Sequence, residues 1–134
     1  MELDELYMLA NEKNIKVMDF SLPQNTAVTV SLGDGCFVGV DPEVFFSKRK
    51  EKVVLAHELG HIETGSLYSV DANNAERIKK EAKAEKWTVE TLIPLEKLKT
   101  AIEDGHGDVG ALAEYFEVTE EFMLKALLYY RRKQ

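Results

Sequence analysis

From Glu2 to Asn14 apolar residues recur at spacings of three and four, with Leu3, Leu6, Tyr7 and Ala10 on one side, and this period predicts an amphipathic helix. The rhythm then changes. Ile15 to Leu22 and Ala27 to Leu32 show partial alternation rich in Val, Ile and Phe, and a further β-rich run, Cys36 to Val40, follows Gly33-Asp34-Gly35. The Asp-Gly step predicts a hairpin turn. Asp41-Pro42 reads as an N-cap followed by proline at the first helical position, which opens a short turn. From Ser47 to Glu63 the pattern is helical, and Gly65 stands where that helix should stop. Asp71, Asn73 and Asn74 offer N-caps for a long helix that runs to Ile93 and is ended by Pro94. A short helix, Leu95 to Ile102, is broken by Gly105-His106-Gly107. Two more helices close the chain, Asp108 to Phe116 and Glu120 to Arg131, with Asp108 and Thr119 as caps.

One helix, a small set of strands and then helices only is an α+β order. No repeat and no linker-like tract divides the 134 residues, so one domain is expected. Its strand-containing part covers 15–41, the helices that carry the chemistry 47–93 and a helical tail 95–134.

Composition narrows the function. With 17 basic and 24 acidic residues the net charge is −7, which disfavours non-specific nucleic-acid binding, since that relies on Lys and Arg to neutralise phosphates. The single cysteine, Cys36, cannot form an internal disulfide, and on a strand it is expected to be a small buried hydrophobe. The acidic start, Met1-Glu2-Leu3-Asp4-Glu5, lacks the basic and apolar regions of a signal peptide, so a cytoplasmic location is expected. No apolar run approaches the roughly 20 residues of a membrane span.

The informative segment is His57-Glu58-Leu59-Gly60-His61, a His-Glu-x-x-His motif inside the second helical pattern. On a helix His57 and His61 lie about 40° apart and one turn above each other, so two imidazoles can meet one metal. Glu58 lies about 100° round from His57, within reach of a water on that metal and outside the coordination direction. This is the general-base geometry of a zinc peptidase. The flanking Val53, Val54, Leu55, Leu59 and Ile62 are apolar, so the polar triplet sits in a largely buried helix and needs partners. Gly60 in mid-helix costs about 1 kcal/mol relative to alanine, which fits a close approach to the backbone there.

Catalytic zinc takes three protein ligands, so a third is required. On the long helix Ala75, Ile78, Ala82, Val89, Leu92 and Ile93 are expected to form the buried face, with Lys79, Lys80, Lys83, Lys86, Glu76 and Glu90 in solvent. Glu81 and Glu85 are the two acids that adjoin the apolar face. One can ligate while the other accepts the N–H of a ligand histidine; the competing reading is an ion pair with Arg77 or Lys50.

His57-Glu58-Leu59-Gly60-His61, then Glu81-x-x-Ala84-x-x-Trp87 and Leu92-Ile93-Pro94, resembles the ImmA/IrrE family of small zinc metallopeptidases, and the tail from Leu112 to Phe122 is similar to that family's closing helices. The resemblance implies a small zincin-like domain, in which a short sheet packs against the motif helix and a second ligand-bearing helix. It implies His57, His61 and Glu81 as zinc ligands, Glu58 as catalytic base and Glu85 beside the ligands. It also implies a protein substrate, typically a helix-turn-helix repressor of a phage or mobile element. Glu85 and Thr88 depart from the family, which more often has Asn or Asp and a small apolar residue at these places.

Tyr68, just after the motif helix, could donate to the oxyanion of a tetrahedral intermediate. His106, between two glycines, is expected to face solvent. Two other functions compete. A zinc-binding sensor or interaction domain without proteolysis would share the ligands. A helix-turn-helix DNA-binding reading of Asp108 to Tyr130 places Glu120-Glu121-Phe122 where phosphate contacts want Arg or Asn, so a packed helical hairpin is expected there.

Overall fold

The computed structural model describes residues 1–23, 26–33 and 35–133. Helix α1 (Leu3–Glu12) opens on a reciprocal cap in which the Glu5 carboxylate accepts from the Glu2 backbone N–H at 2.8 Å. Asn14, at φ 56°, turns the chain directly into strand β1 (Ile15–Asp19). Strands β2 (Ala27–Leu32) and β3 (Gly35–Val40) complete a sheet of order β1-β3-β2, with β1 parallel and β2 antiparallel to β3. The predicted hairpin is there, with Leu32 opposite Gly35; Asp34 itself lies outside the described residues.

β1 ends earlier than its sequence pattern, because Leu22 gives its N–H to the Asp41 carboxylate at 2.9 Å and leaves the ladder. Asp41 also accepts from Glu43 N at 3.0 Å and so caps the 3-10 helix Pro42–Phe46 that its Asp-Pro step predicts. Both donors favour the ionised carboxyl, Leu22 foremost, and hold it below the usual carboxylate range.

Helix α2 (Lys48–Glu63) is capped by Ser47 and packs under the sheet through Leu55, Ala56 and Leu59. Two charged residues of its first turns are buried as well. Glu51 accepts from the Tyr7 hydroxyl at 2.5 Å, and Lys52 donates to the Phe116 carbonyl at 2.7 Å, at a helix C-terminus where a cation is favoured.

Helix α3 (Asn74–Leu92), capped by Asn73, corrects the expected apolar face. Ala75, Ile78 and Ala82 are exposed, and Ile78 retains 70% of its accessible surface. The buried residues are Ala84, Thr88, Val89 and Leu92, a face rotated toward Glu81. Small residues decide this. Ala84 and Thr88 let α3 approach the backbone of α2 at Gly60, and the Thr88 hydroxyl is satisfied by the Ala84 carbonyl at 2.7 Å.

Helices α4 (Leu95–Glu103), α5 (Val109–Phe116) and α6 (Glu120–Arg132) follow, the last two capped by Asp108 and Thr119. α6 turns Phe122, Met123, Ala126 and Tyr129 into the core, as a packed hairpin requires. One apolar cluster runs from Leu6 through Val38, Leu55, Leu59, Val89 and Ile93 to Met123. No helix among the described residues is long and apolar enough to cross a membrane.

Candidate metal centre

α2 turns His57 and His61 to the same side, their ring centroids 4.9 Å apart, and α3 brings the Glu81 carboxylate to both. Glu81 Oε1 lies 2.9 Å from His57 Nε2, and Oε2 lies 2.9 Å from His61 Nε2. One ligand-type atom from each of the three residues falls within 4.8 Å of the others.

The end of α2 orients His61. Gly65 takes the left-handed conformation, φ +62°, and Ser66 N donates back to the His61 carbonyl at 2.8 Å, the wide hydrogen bond of a glycine C-cap. The same turn puts the Ser66 carbonyl 2.9 Å from His61 Nδ1. A carbonyl only accepts, so Nδ1 carries a proton and Nε2 is the ring atom turned to Glu81. Nε2 and a carboxylate oxygen at this distance can share a proton or, in its place, a metal ion. Two imidazoles and one carboxylate, with one ring fixed by a backbone carbonyl, fit a divalent metal of the type that accepts nitrogen and oxygen donors.

Burial tends to raise the Glu81 carboxyl, but the Tyr68 hydroxyl, His57 and His61 together outweigh it and hold the carboxyl below its ordinary value. Tyr68 donates to Glu81 Oε2 at 2.8 Å, and burial, followed by this carboxylate, raises its phenol. Arg77 steadies the loop that carries Tyr68. Its guanidinium lies 5.4 Å from the Tyr68 ring centroid and donates to the carbonyls of Val70 and Ala72.

Glu58 stands next to the triad on α2 and accepts from the Thr29 hydroxyl at 2.6 Å. Thr29 was not among the residues singled out in the sequence. Its only signal there is a hydroxyl on the polar side of the alternation, shared with Ser31, which does not specify a partner 29 positions away. A cleft of about 340 Å³ holds His57, Glu58, His61 and Glu81, floored on one side by Ala27, Val28 and Thr29 of β2 and walled by Leu67 and Tyr68.

Glu85, one turn beyond Glu81, lines a cleft together with His57, Glu58, Glu81, Thr88 and Lys125, while the partner of His61 Nδ1 is the Ser66 carbonyl. Among the described residues neither Arg77 nor Lys50 forms an ion pair with either acid. His106 packs its ring against Tyr115, centroids 4.7 Å apart. Cys36 is a half-buried free thiol on β3.

A helix that carries both imidazoles beside the edge of a small sheet, answered by a carboxylate from the next helix, defines a zincin-like domain of the kind found in metal-dependent peptidases. The family-level comparison reaches the same class. The IrrE N-terminal-like domain, Peptidase_M78, matches residues 10–128, and the chain belongs to that family. No curated protein matches the chain.

Proposed function

We propose that the protein is a cytoplasmic zinc endopeptidase that cleaves one regulatory protein, most naturally a helix-turn-helix repressor of a phage or mobile element. The observation that carries this reading is the convergence of His57, His61 and Glu81 in one cleft with Glu58, beside a strand edge. Zinc held by the three residues would supply a Lewis acid that acidifies a water and polarises a carbonyl.

The chain's own residues do the rest. β2 is an edge strand, so its outward N–H and C=O groups can pair with an extended substrate and lay it across the cleft. Glu58 takes the proton of the attacking water and delivers it to the nitrogen that leaves. Thr29 occupies one oxygen of that carboxylate and leaves the other for the water. Tyr68 donates to Glu81 and is placed to turn its hydroxyl toward a carbonyl oxygen that gathers charge.

The test is co-expression with a helix-turn-helix repressor drawn from the genes neighbouring this one, with intact mass read for fragments. Wild type should cut it once. Glu58→Gln should keep the metal and slow cleavage by about 10² to 10⁴. An uncut repressor in the presence of zinc-loaded wild type would favour the sensor reading.

A further inference from the structure

A second groove, about 770 Å³, opens from the candidate centre between α3 and α6. It shares Glu81, Glu85 and Lys125 with the cleft beside the centre, so the two are continuous. α6 and its C-cap Lys133 contribute Lys125, Leu128, Tyr129, Arg132 and Lys133, at i, i+3, i+4, i+7 and i+8 along one side. α3 contributes Ile78 and Ala82, from the face that the sequence pattern led one to expect in the core, and the solvent-facing Lys86. The groove therefore has an apolar floor and a basic rim.

This rim is unusual for the chain as a whole. The protein carries −7, yet five cations line this groove against two acids, Glu81 and Glu85; Arg77 is held on backbone carbonyls, and Lys86, Lys125, Arg132 and Lys133 form the rim. Among the described residues none of the four is paired with a carboxylate. Cations that share one groove wall repel one another, and an acidic occupant would relieve that. Ile78, 70% exposed, leaves apolar surface uncovered in the same place. From Lys125 to Lys133 the stripe is about 12 Å long, enough for two turns of a docked helix.

We propose that this groove receives an acidic amphipathic helix of the substrate protein, its apolar side on Ile78, Ala82 and Leu128 and its carboxylates among the four cations. The proposal rests on the peptidase reading for the word substrate, and it adds how such an enzyme selects one protein. Docking a helix in the groove fixes the adjoining segment of substrate over the centre, so selectivity comes from a surface outside the cleft.

Fluorescence anisotropy on zinc-loaded Glu58→Gln protein tests this without turnover. The probes are a labelled amphipathic peptide of about four helical turns with leucines on one side and glutamates on the other, the same peptide with lysines for glutamates, and a short DNA duplex. The acidic peptide should bind at least about tenfold tighter than the basic one, and more weakly as salt rises. Lys125→Glu with Arg132→Glu should weaken it about tenfold, and Ile78→Asn should weaken it independently, whereas Lys97→Glu with Lys99→Glu on α4 should leave it unchanged. Binding blind to peptide charge, binding indifferent to the Lys125/Arg132 reversal, or tighter binding of the duplex would overturn the proposal. Lost peptide binding beside intact repressor cleavage overturns the groove alone. Intact peptide binding beside a repressor that wild type never cuts supports the groove and overturns the peptidase reading.

Discussion

Thr29 on β2 donates to Glu58 on α2 at 2.6 Å, so the strand along which a substrate would lie also holds the carboxylate that would act on it. A hydroxyl bonded to a carboxylate is a charge-assisted contact, stronger than a neutral one and directional. Its place on a sheet edge makes the orientation of the base depend on the position of that strand.

Thr29→Val keeps the shape of the side chain and removes the donor. Turnover of the repressor should fall about ten- to a hundredfold, in keeping with the roughly 1.5–3 kcal/mol that hydrogen bonds to charged groups contribute. Zinc content should not change, and Thr29→Ser should restore most of the rate. If the serine variant is as slow as the valine variant, the hydroxyl is not what positions Glu58.

Much of this arrangement is visible in the sequence, for reasons that are local. Caps and breakers mark the helices, so Asp41, Asn73, Asp108, Thr119 and Gly65 act where their residue types say they should. His57, Glu58 and His61 share one helix, and helical spacing alone orders them. Contacts made across the chain are a different matter. Glu51 and Lys52 look like a solvated run, yet both are buried because Tyr7 and the Phe116 carbonyl reach them from 44 and 64 positions away. The buried face of α3 also escaped periodicity. Hydrophobicity favoured Ile78, whereas the fold buries Ala84 and Thr88 because only small side chains permit the close crossing at Gly60.

The third ligand separates two glutamates one turn apart. Glu81 touches both Nε2 atoms and Glu85 neither, so Glu81→Gln should lose bound zinc and Glu85→Gln should retain it. Metal analysis after dialysis decides the matter. Retention in the first variant with loss in the second would move the site one turn along α3.

Asp41 links acidity to stability. Its carboxyl is held low by the N–H groups of Leu22 and Glu43, so the folded state favours the ionised form more than the unfolded chain does. That contribution is complete above the unfolded value of about 3.9 and disappears as pH falls through the lower folded value. Asp41→Asn removes the linkage. Thermal melts with a chelator present, so that metal release plays no part, should show the wild-type midpoint dropping more steeply than that of the variant between about pH 5 and 2. Parallel curves would mean the two backbone donors do not discriminate the charged form.

Gly60 sets two effects of opposite sign against each other. In a helix interior alanine is favoured over glycine by about 1 kcal/mol, so Gly60→Ala would stabilise an isolated α2. In the folded protein its Cβ would lie 2.9 Å from the Ala84 carbonyl oxygen, 3.2 Å from Thr88 Oγ1 and 3.2 Å from Trp87 Cε3. The first of these is backbone and cannot swing aside, so α3 has to move outward, and overpacking of this kind costs about 1–3 kcal/mol. The clash wins. The melting midpoint should fall by several degrees, at about 3–5 °C per kcal/mol for a domain of this size. Glu81 rides on α3 one turn before Ala84, so the same displacement withdraws a carboxylate from both histidines. Zinc affinity should therefore decline along with stability, although the substituted atom touches no ligand. Calorimetry and zinc titration of the folded variant read the two effects separately, and a variant that melts higher than wild type while holding zinc as tightly would show that α2 and α3 are not locked at this crossing.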